Sequence, residues 1–283
     1  MFFYNIPILR HRDYRNVGSY MHEHKVNAFF ECCLRRIGTI RSRQQQEEAI
    51  SYLAGFMNHY IADSICHPYV YGRIGYPVDA PTSMHHGMHA HLENELDAIL
   101  LWKYKKKKPS EFNQTATICL NGQEIQFISH FLASCINETY YPITYRNNFQ
   151  VTPAMVHRSI WALRFGCRTL SDKTGKKKFG IAQVESIFVN HPVASAKMVT
   201  DSVTDYRSSC NLNHEAWSNP WDPTRVSTAS FVDLFHETLD KCSRVYELLN
   251  SAVTDNVPLD KQDLSPLLTE LGNESYHSGL PVD

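Results

Sequence analysis

Imidazole and carboxylate side chains spaced four residues apart occur in two segments of this 283-residue chain. The segments read His59-x3-Asp63-x3-His67 and His89-x3-Glu93-x3-Asp97. Residues four apart lie one above another on the same face of an α-helix. The spacing therefore predicts two helices, each with a column of potential metal ligands along one side.

These nitrogen and oxygen donors are the ones that zinc prefers in proteins, and His22 offers one more on an earlier helical segment. His59 and His67 are about 12 Å apart along a helix, too far to share an ion with bonds of about 2 Å. We therefore expect two or more ions. One would take His22, His59 and Asp63, and the other His67, His89 and Glu93. Such sites activate water for attack at phosphorus, so a metallohydrolase is the working hypothesis.

Two alternatives compete with this ligand set. The first column could be a solvated polar face, but aromatic residues on the same side favour a helix buried all round: Tyr52, Phe56 and Tyr60. On the second helix, His91 and Glu95 have the same spacing as His89 and Glu93. The spacing alone leaves the choice between these two pairs open.

Helical periodicity dominates the rest of the chain and predicts an all-α fold. Apolar residues recur at helical spacing in Val26–Ile37 and Glu47–Cys66, and we expect Pro68 to end the second of these helices. Further helices are predicted near 86–105, 125–139, 153–170, 183–204 and 229–251. The Asn121-Gly122 pair predicts a hairpin within 115–126. We expect one helical domain over residues 1–255 and a polar C-terminal tail over 256–283.

Composition excludes several classes of protein. The 28 basic and 29 acidic residues nearly balance, so no overall charge favours nucleic acid or an anionic membrane. The short lysine runs at 105–108 and 176–178 are expected to be solvated. Eight cysteines without CxxC spacing indicate reduced thiols. No apolar stretch approaches the ~20 residues of a membrane span, and the N-terminus lacks a signal-peptide pattern, so we expect a cytoplasmic protein.

Several stretches, taken in order, resemble the zinc-dependent phospholipase C family. They are GSYMHEHKVNAFF, GFMNHYIADSICHPYVYGR, HAHLENELD and NLNHEAWSNPWDPTRVSTASFVDLF. Members of this family are bacterial all-α enzymes related to the catalytic domain of clostridial alpha-toxin, and more distantly to fungal zinc nucleases. The similarity covers about residues 1–250, and the nearest resemblance is to uncharacterised intracellular members.

The resemblance implies a ligand set for two or three zinc ions. It matches six residues to zinc ligands: His22, His59, Asp63, His67, His89 and Glu93. It thereby favours His89 and Glu93 over the neighbouring pair, and it implies that Asp97 orients a ligand histidine. Family members carry a further aspartate ahead of the point that corresponds to Met1. The resemblance implies that the general base lies there, upstream of Met1, so this chain would lack it.

The implied function is a zinc-dependent phosphoester hydrolase of phospholipase C type, acting on a phospholipid or another phosphoester. A non-catalytic, zinc-stabilised helical protein is the alternative that the missing base suggests. A nuclease-like phosphodiesterase is a further alternative. The sequence shows no aromatic and basic groove of the kind that binds single strands, so no specific nucleic-acid partner is expected.

Overall fold

The computed structural model describes residues 17–144, 149–203 and 205–283. Residues 1–16, the start of the predicted domain, lie outside the described ranges. The prediction of an all-α fold is confirmed for the described residues, apart from one small hairpin. No described helix is both long and apolar enough to cross a membrane.

The element bounds are as follows. The helices are α1 (Val17–Glu23), α2 (Val26–Gly38), α3 (Arg43–Arg73), α4 (Ser83–Lys105), α5 (Gly122–Tyr140), α6 (Pro153–Thr169), α7 (Lys176–Phe188), α8 (Tyr206–Ser209), α9 (Phe231–Thr254) and α10 (Ser265–Leu271). The strands are β1 (Trp217–Asn219) and β2 (Asp222–Ser227), which pair antiparallel.

The chain forms two compact units. The first comprises Met1–Ile65, Leu120–Arg164 and Glu237–Asp283, as far as these ranges are described. The second comprises Cys66–Cys119 and Phe165–His236. Each unit draws on separated parts of the sequence, so its core depends on contacts that helical periodicity does not indicate.

The core of the first unit forms where α2 packs against α5 and α10. The apolar face predicted for α2 is fully buried, with Phe30, Cys33 and Leu34 at 0 % exposure. Residues of 256–283, predicted as a polar tail, contribute to this unit: Leu267, Leu271 and Tyr276 are buried. Apolar side chains at these positions draw the segment onto the core, although its overall composition is polar.

A close backbone approach joins α2 to the same C-terminal segment. A Cβ atom on Gly38 would lie 2.3 Å from the backbone nitrogen of Asp260, which no real contact allows. Glycine at the end of α2 therefore permits the short 3-10 helix Leu259–Lys261 to pack against this helix.

Helix α3 does not end at Pro68, and that expectation was wrong. Pro68 lies inside the helix, which continues to Arg73. Proline removes one backbone donor and crowds the preceding turn, which disfavours this arrangement. The next turn compensates because Tyr69 and Val70 are buried, and the Tyr69 hydroxyl donates to the Ser209 carbonyl at 2.7 Å. His67 consequently stays on a helix.

The Asn121-Gly122 pair starts helix α5 rather than forming the predicted hairpin. The Asn121 Oδ1 atom accepts from the backbone N–H groups of Gln123 and Glu124, and the Glu124 carboxylate accepts from the Asn121 N–H. This reciprocal capping satisfies donors that a new helix leaves unpaired. The capping glutamate, three residues after the asparagine, is therefore a stronger signal here than the Asn-Gly pair, and it indicates a helix start.

The helix predicted near 183–204 is also displaced, because α7 already ends at Phe188. Beyond it the Glu185 carboxylate accepts from the backbone N–H groups of Val193 and Ser195. These N–H groups are bound by a side chain instead of by helical carbonyls. The short 3-10 helix Ser195–Lys197 is the one further helical turn in this stretch as described.

Candidate metal centres

The first candidate centre lies in the first unit and consists of His22, His59 and Asp63. One potential ligand atom from each lies within 4.8 Å of the others. His22 comes from α1, whereas His59 and Asp63 are one turn apart on α3. The His59 Nδ1 atom is 3.4 Å from Asp63 Oδ1, and the His59 side chain is 46 % exposed. The centre thus combines the predicted column with an imidazole from another helix.

The His22 imidazole is held in one orientation. Its Nδ1 atom donates to the Gly18 carbonyl at 2.6 Å, so its Nε2 atom carries the lone pair that a metal needs. Burial, followed by the nearby charge of His277, lowers the pKa of His22 to about 3. The ring is therefore neutral at physiological pH, which is the form that binds metal.

The C-terminal segment supports His22 from one side, and the sequence did not indicate this. The Tyr276 ring lies 4.2 Å from that of His22, and the Tyr276 N–H donates to the His22 carbonyl at 3.0 Å. The His277 ring stacks on His22 at 5.3 Å. No spacing in the sequence relates residues 276 and 277 to residue 22, so only the folded chain reveals this contact.

A hydrogen bond fixes the segment that carries these two residues. The Tyr60 hydroxyl donates to Glu274 Oε2 at 2.6 Å, and the same hydroxyl oxygen accepts from the Glu274 N–H at 2.9 Å. Tyr60 lies on α3, next to His59, and is fully buried. The helix that supplies two of the candidate ligands therefore also positions the support behind the third.

The second candidate centre lies in the second unit and consists of His67, His89 and Glu93. Their potential ligand atoms also lie within 4.8 Å of one another. The Nε2 atoms of both histidines are 3.1 Å from the same oxygen, Glu93 Oε1. Burial by itself raises the pKa of Glu93, but hydrogen bonds from the two imidazoles lower it below its usual range. Glu93 is therefore an anion with two nitrogens directed at one of its oxygens.

Aromatic side chains restrict the imidazoles of this second centre. The Tyr71 ring lies 4.6 Å from His89 and 5.5 Å from His67. Trp221 packs edge-on against Tyr71 at 5.0 Å, and Tyr76 contacts both rings. Rings packed in this way leave the two histidines little freedom to rotate.

Both groups fit zinc by donor chemistry and by spacing. Tetrahedral zinc with bonds of about 2.0–2.1 Å separates its ligand atoms by about 3.3 Å. The His59 Nδ1 and Asp63 Oδ1 atoms are 3.4 Å apart, and Glu93 Oε1 is 3.1 Å from the Nε2 atoms of His67 and His89. The other ring nitrogen of His89, Nδ1, does not face Glu93; it is buried without a hydrogen-bond partner among the described residues. Buried nitrogens normally have a partner, and an ordered water could accept a hydrogen bond from this one.

The alternative pair on α4 occupies a different environment. His91 Nε2 lies 3.7 Å from Glu95 Oε1, while Glu95 Oε2 accepts from the Ser209 hydroxyl at 2.7 Å. Neither residue belongs to either group of potential ligands in the described chain. The fold brings His89 and Glu93, not this pair, to His67.

Asp97 lies one turn beyond Glu93 and lines a cavity of about 660 Å³ with residues such as Leu101 and Phe235. Burial of its carboxyl group, followed by the charge of Glu93, raises the pKa of Asp97 to about 6. Within the described residues, no hydrogen bond joins Asp97 to a candidate ligand. Its predicted role in orienting a ligand histidine stays a prediction.

The chain matches the sequence model of a known protein family. The sequence model of a family described as zinc dependent phospholipase C matches residues 2–144, about half of the chain. The matched range contains all six candidate ligands. No curated protein and no solved structure matches the chain.

Proposed function

Because the chain belongs to the zinc-dependent phospholipase C family, we propose that it is a phosphodiester hydrolase with zinc at two centres. The observation that carries this proposal is the convergence of six predicted ligands into two groups. Each group contains two imidazoles and one carboxylate, with potential ligand atoms within 4.8 Å. The proposed substrate is a phospholipid or a related phosphodiester, as the family implies.

Bound zinc would polarise the phosphoryl oxygens and lower the pKa of the attacking water. The protein's own contribution begins with the ligand set, since Asp63 and Glu93 each place a carboxylate oxygen beside imidazole nitrogens. Metal ligands must be deprotonated. The lowered pKa values of His22 and Glu93 mean that both residues meet this condition at neutral pH.

Orientation is the second contribution of the protein. The Gly18 carbonyl selects one tautomer of His22, so its other nitrogen faces away from the backbone. Tyr71 restricts the rings of His67 and His89. Ligands that are already oriented lose less conformational freedom when the ion binds, which favours tight and specific binding.

The test combines zinc content, measured by mass spectrometry on the purified full chain, with turnover of a chromogenic choline phosphodiester. We expect two or more zinc ions per chain together with turnover. Zinc without turnover would instead favour the non-catalytic, zinc-stabilised alternative. A chain that binds no zinc under metal-replete conditions would overturn the proposal.

A matched pair of variants on helix α4 sharpens this test. His89→Ala is expected to lose zinc and turnover, because it removes a candidate ligand. His91→Ala is the control: it lies two residues away, has the same spacing to a glutamate, and its side chain is 44 % exposed. Equal loss in both variants would contradict the assignment of ligands.

A further inference from the structure

Helix α7 in the second unit presents large apolar side chains to solvent. None of its residues is buried. Phe179, Val184, Ile187 and Phe188 are 67 %, 58 %, 74 % and 78 % exposed. Single exposed apolar residues are common, but four of them on one short helix mark a surface for interaction.

The orientation of α7 is determined by packing on its opposite side. At about 100° per residue, the partly buried residues fall within an arc of about 100°: Lys178, Ile181, Ala182 and Glu185. Glu185 faces inward, where its carboxylate accepts from backbone N–H groups of the 193–195 segment and from the Ser195 hydroxyl. The apolar residues are therefore held outward by a well-bonded inner face.

The charges on the outer face are all positive. Lys176 and Lys177 lie on an arc of about 120° with Val184, Ile187 and Phe188, whereas Phe179 lies beside this arc. The only acidic residue of the helix, Glu185, is on the inner arc. Asp172, just before the helix, is buried and accepts from the Lys178 N–H. The nearby carboxylates are thus turned away from a surface that combines lysine with phenylalanine and isoleucine.

We propose that the outer face of α7 is the surface by which this protein binds an anionic lipid bilayer. Val184, Ile187 and Phe188 would enter the boundary between headgroups and acyl chains, and Lys176 and Lys177 would contact lipid phosphates. Two lysines of the run 176–178, which was expected from sequence to be solvated, have this role because of the apolar side chains beside them.

Charge argues against a second copy of the chain as the occupant. A symmetric dimer places the same patch of both copies face to face. Such a contact on α7 would bring the lysines of one copy against those of the other, and like charges in a desolvated contact are unfavourable. An anionic surface complements the same lysines.

Binding is measured by flotation of the zinc-loaded full chain with vesicles of phosphatidylcholine, with or without phosphatidylglycerol. We expect flotation with the anionic vesicles, at least about tenfold weaker binding to phosphatidylcholine alone, and weaker binding at high salt. A chain that does not float with the anionic vesicles would overturn the proposal.

Three variants test the helix itself. The double variant Ile187→Ser, Phe188→Ser is expected to bind at least about tenfold more weakly, as is Lys176→Glu, Lys177→Glu. Val226→Ser is the control, because this residue of β2 in the same unit is 62 % exposed. Unchanged flotation of both α7 variants would refute the proposal, and so would a dimer in gel filtration that the Ile187→Ser, Phe188→Ser variant abolishes.

Lipid binding by α7 is distinct from the proposed hydrolysis, and the two can fail separately. Turnover is measured on a soluble chromogenic substrate, whereas docking is measured by flotation in the cold. The α7 variants are expected to retain turnover of the soluble substrate, since none of the substituted residues belongs to a candidate metal centre. Loss of that turnover in them would contradict a role confined to lipid binding.

Discussion

The two candidate metal centres have the same donor types but are built in different ways. In the second, His67, His89 and Glu93 come from two long helices, and Tyr71 restricts both imidazoles. In the first, one imidazole comes from the seven-residue helix α1 and is supported by the C-terminal residues Tyr276 and His277. The second centre therefore depends mainly on helical spacing, whereas the first also requires contacts between distant parts of the sequence.

The largest effects should come from removing one carboxylate at a time. Glu93→Gln and Asp63→Asn each delete an anionic ligand, so each should lose zinc at its own centre and lower kcat/KM by about a thousandfold or more, since bound metal supplies several kcal/mol. Zinc content and turnover measure both effects. If the two centres are independent in assembly, each variant keeps the zinc of the other centre; loss of all zinc in both would show that they load together.

The stability of the metal-free protein is expected to depend on pH through His22. The pKa of His22 is about 3 in the folded chain, against an ordinary value of 6.5. Between these values the unfolded chain binds a proton that the folded chain does not, so stability falls as the pH is lowered through this range. Thermal melts of His22→Gln should show a smaller loss of stability over the same pH range than melts of the unsubstituted chain.

Asp97, one turn beyond the second centre, is expected to have the opposite effect on stability in the same melts. Asp97 has a raised pKa of about 6, so the folded chain binds its proton more readily than the unfolded chain does. Its contribution to stability therefore increases as the pH falls from about 6 towards its ordinary value of 3.8. Asp97→Asn should make the acid-side decline steeper. A shallower decline would contradict the sign assigned to this carboxyl group.

A smaller effect is expected where the C-terminal segment is attached. Glu274→Ala removes the acceptor of the Tyr60 hydroxyl, a hydrogen bond to a charged group, and should lower the free energy of unfolding by about 2 kcal/mol. Denaturant unfolding measures this change. Zinc titration should then show weaker binding at the first centre only. Equal weakening at both centres would show that the C-terminal segment does not support the first centre specifically.

The smallest effect should follow His277→Ala. This change removes the ring that stacks on His22 and is expected to weaken zinc binding at the first centre by roughly tenfold, as is typical for residues that position a ligand. His130→Ala, an exposed histidine of the same unit, is the control. Zinc affinities that do not differ between the two variants would show that the stack is incidental.

These differences explain what the sequence could predict. Four-residue spacing predicts that His59 lies beside Asp63 and His89 beside Glu93, and both contacts are present, because helix geometry is local. Spacing could not distinguish the His91 and Glu95 pair from the His89 and Glu93 pair, and the choice between them rested on the family resemblance. Four-residue spacing also gave no indication of the supporting residues after 273. Those depend on tertiary packing, which has no period in the sequence.

Fold predictions failed where a local sequence preference was outweighed by burial or by helix capping. Pro68 was expected to end a helix, but the burial of Tyr69 and Val70 maintains it. Asn121-Gly122 has the signature of a turn, yet Glu124 makes the same residues a helix start. The exposed face of α7 was missed because its apolar residues look like ordinary core positions until the packing of the helix is known.

The contact between His22 and the C-terminal residues has a consequence for the order of events during synthesis. Tyr276 and His277 are translated more than 250 residues after His22. The ligands of the second centre are complete once α4 has emerged. Zinc loading of the first centre is therefore expected to be the later event, and nascent chains stalled before Glu274 should hold zinc at the second centre alone.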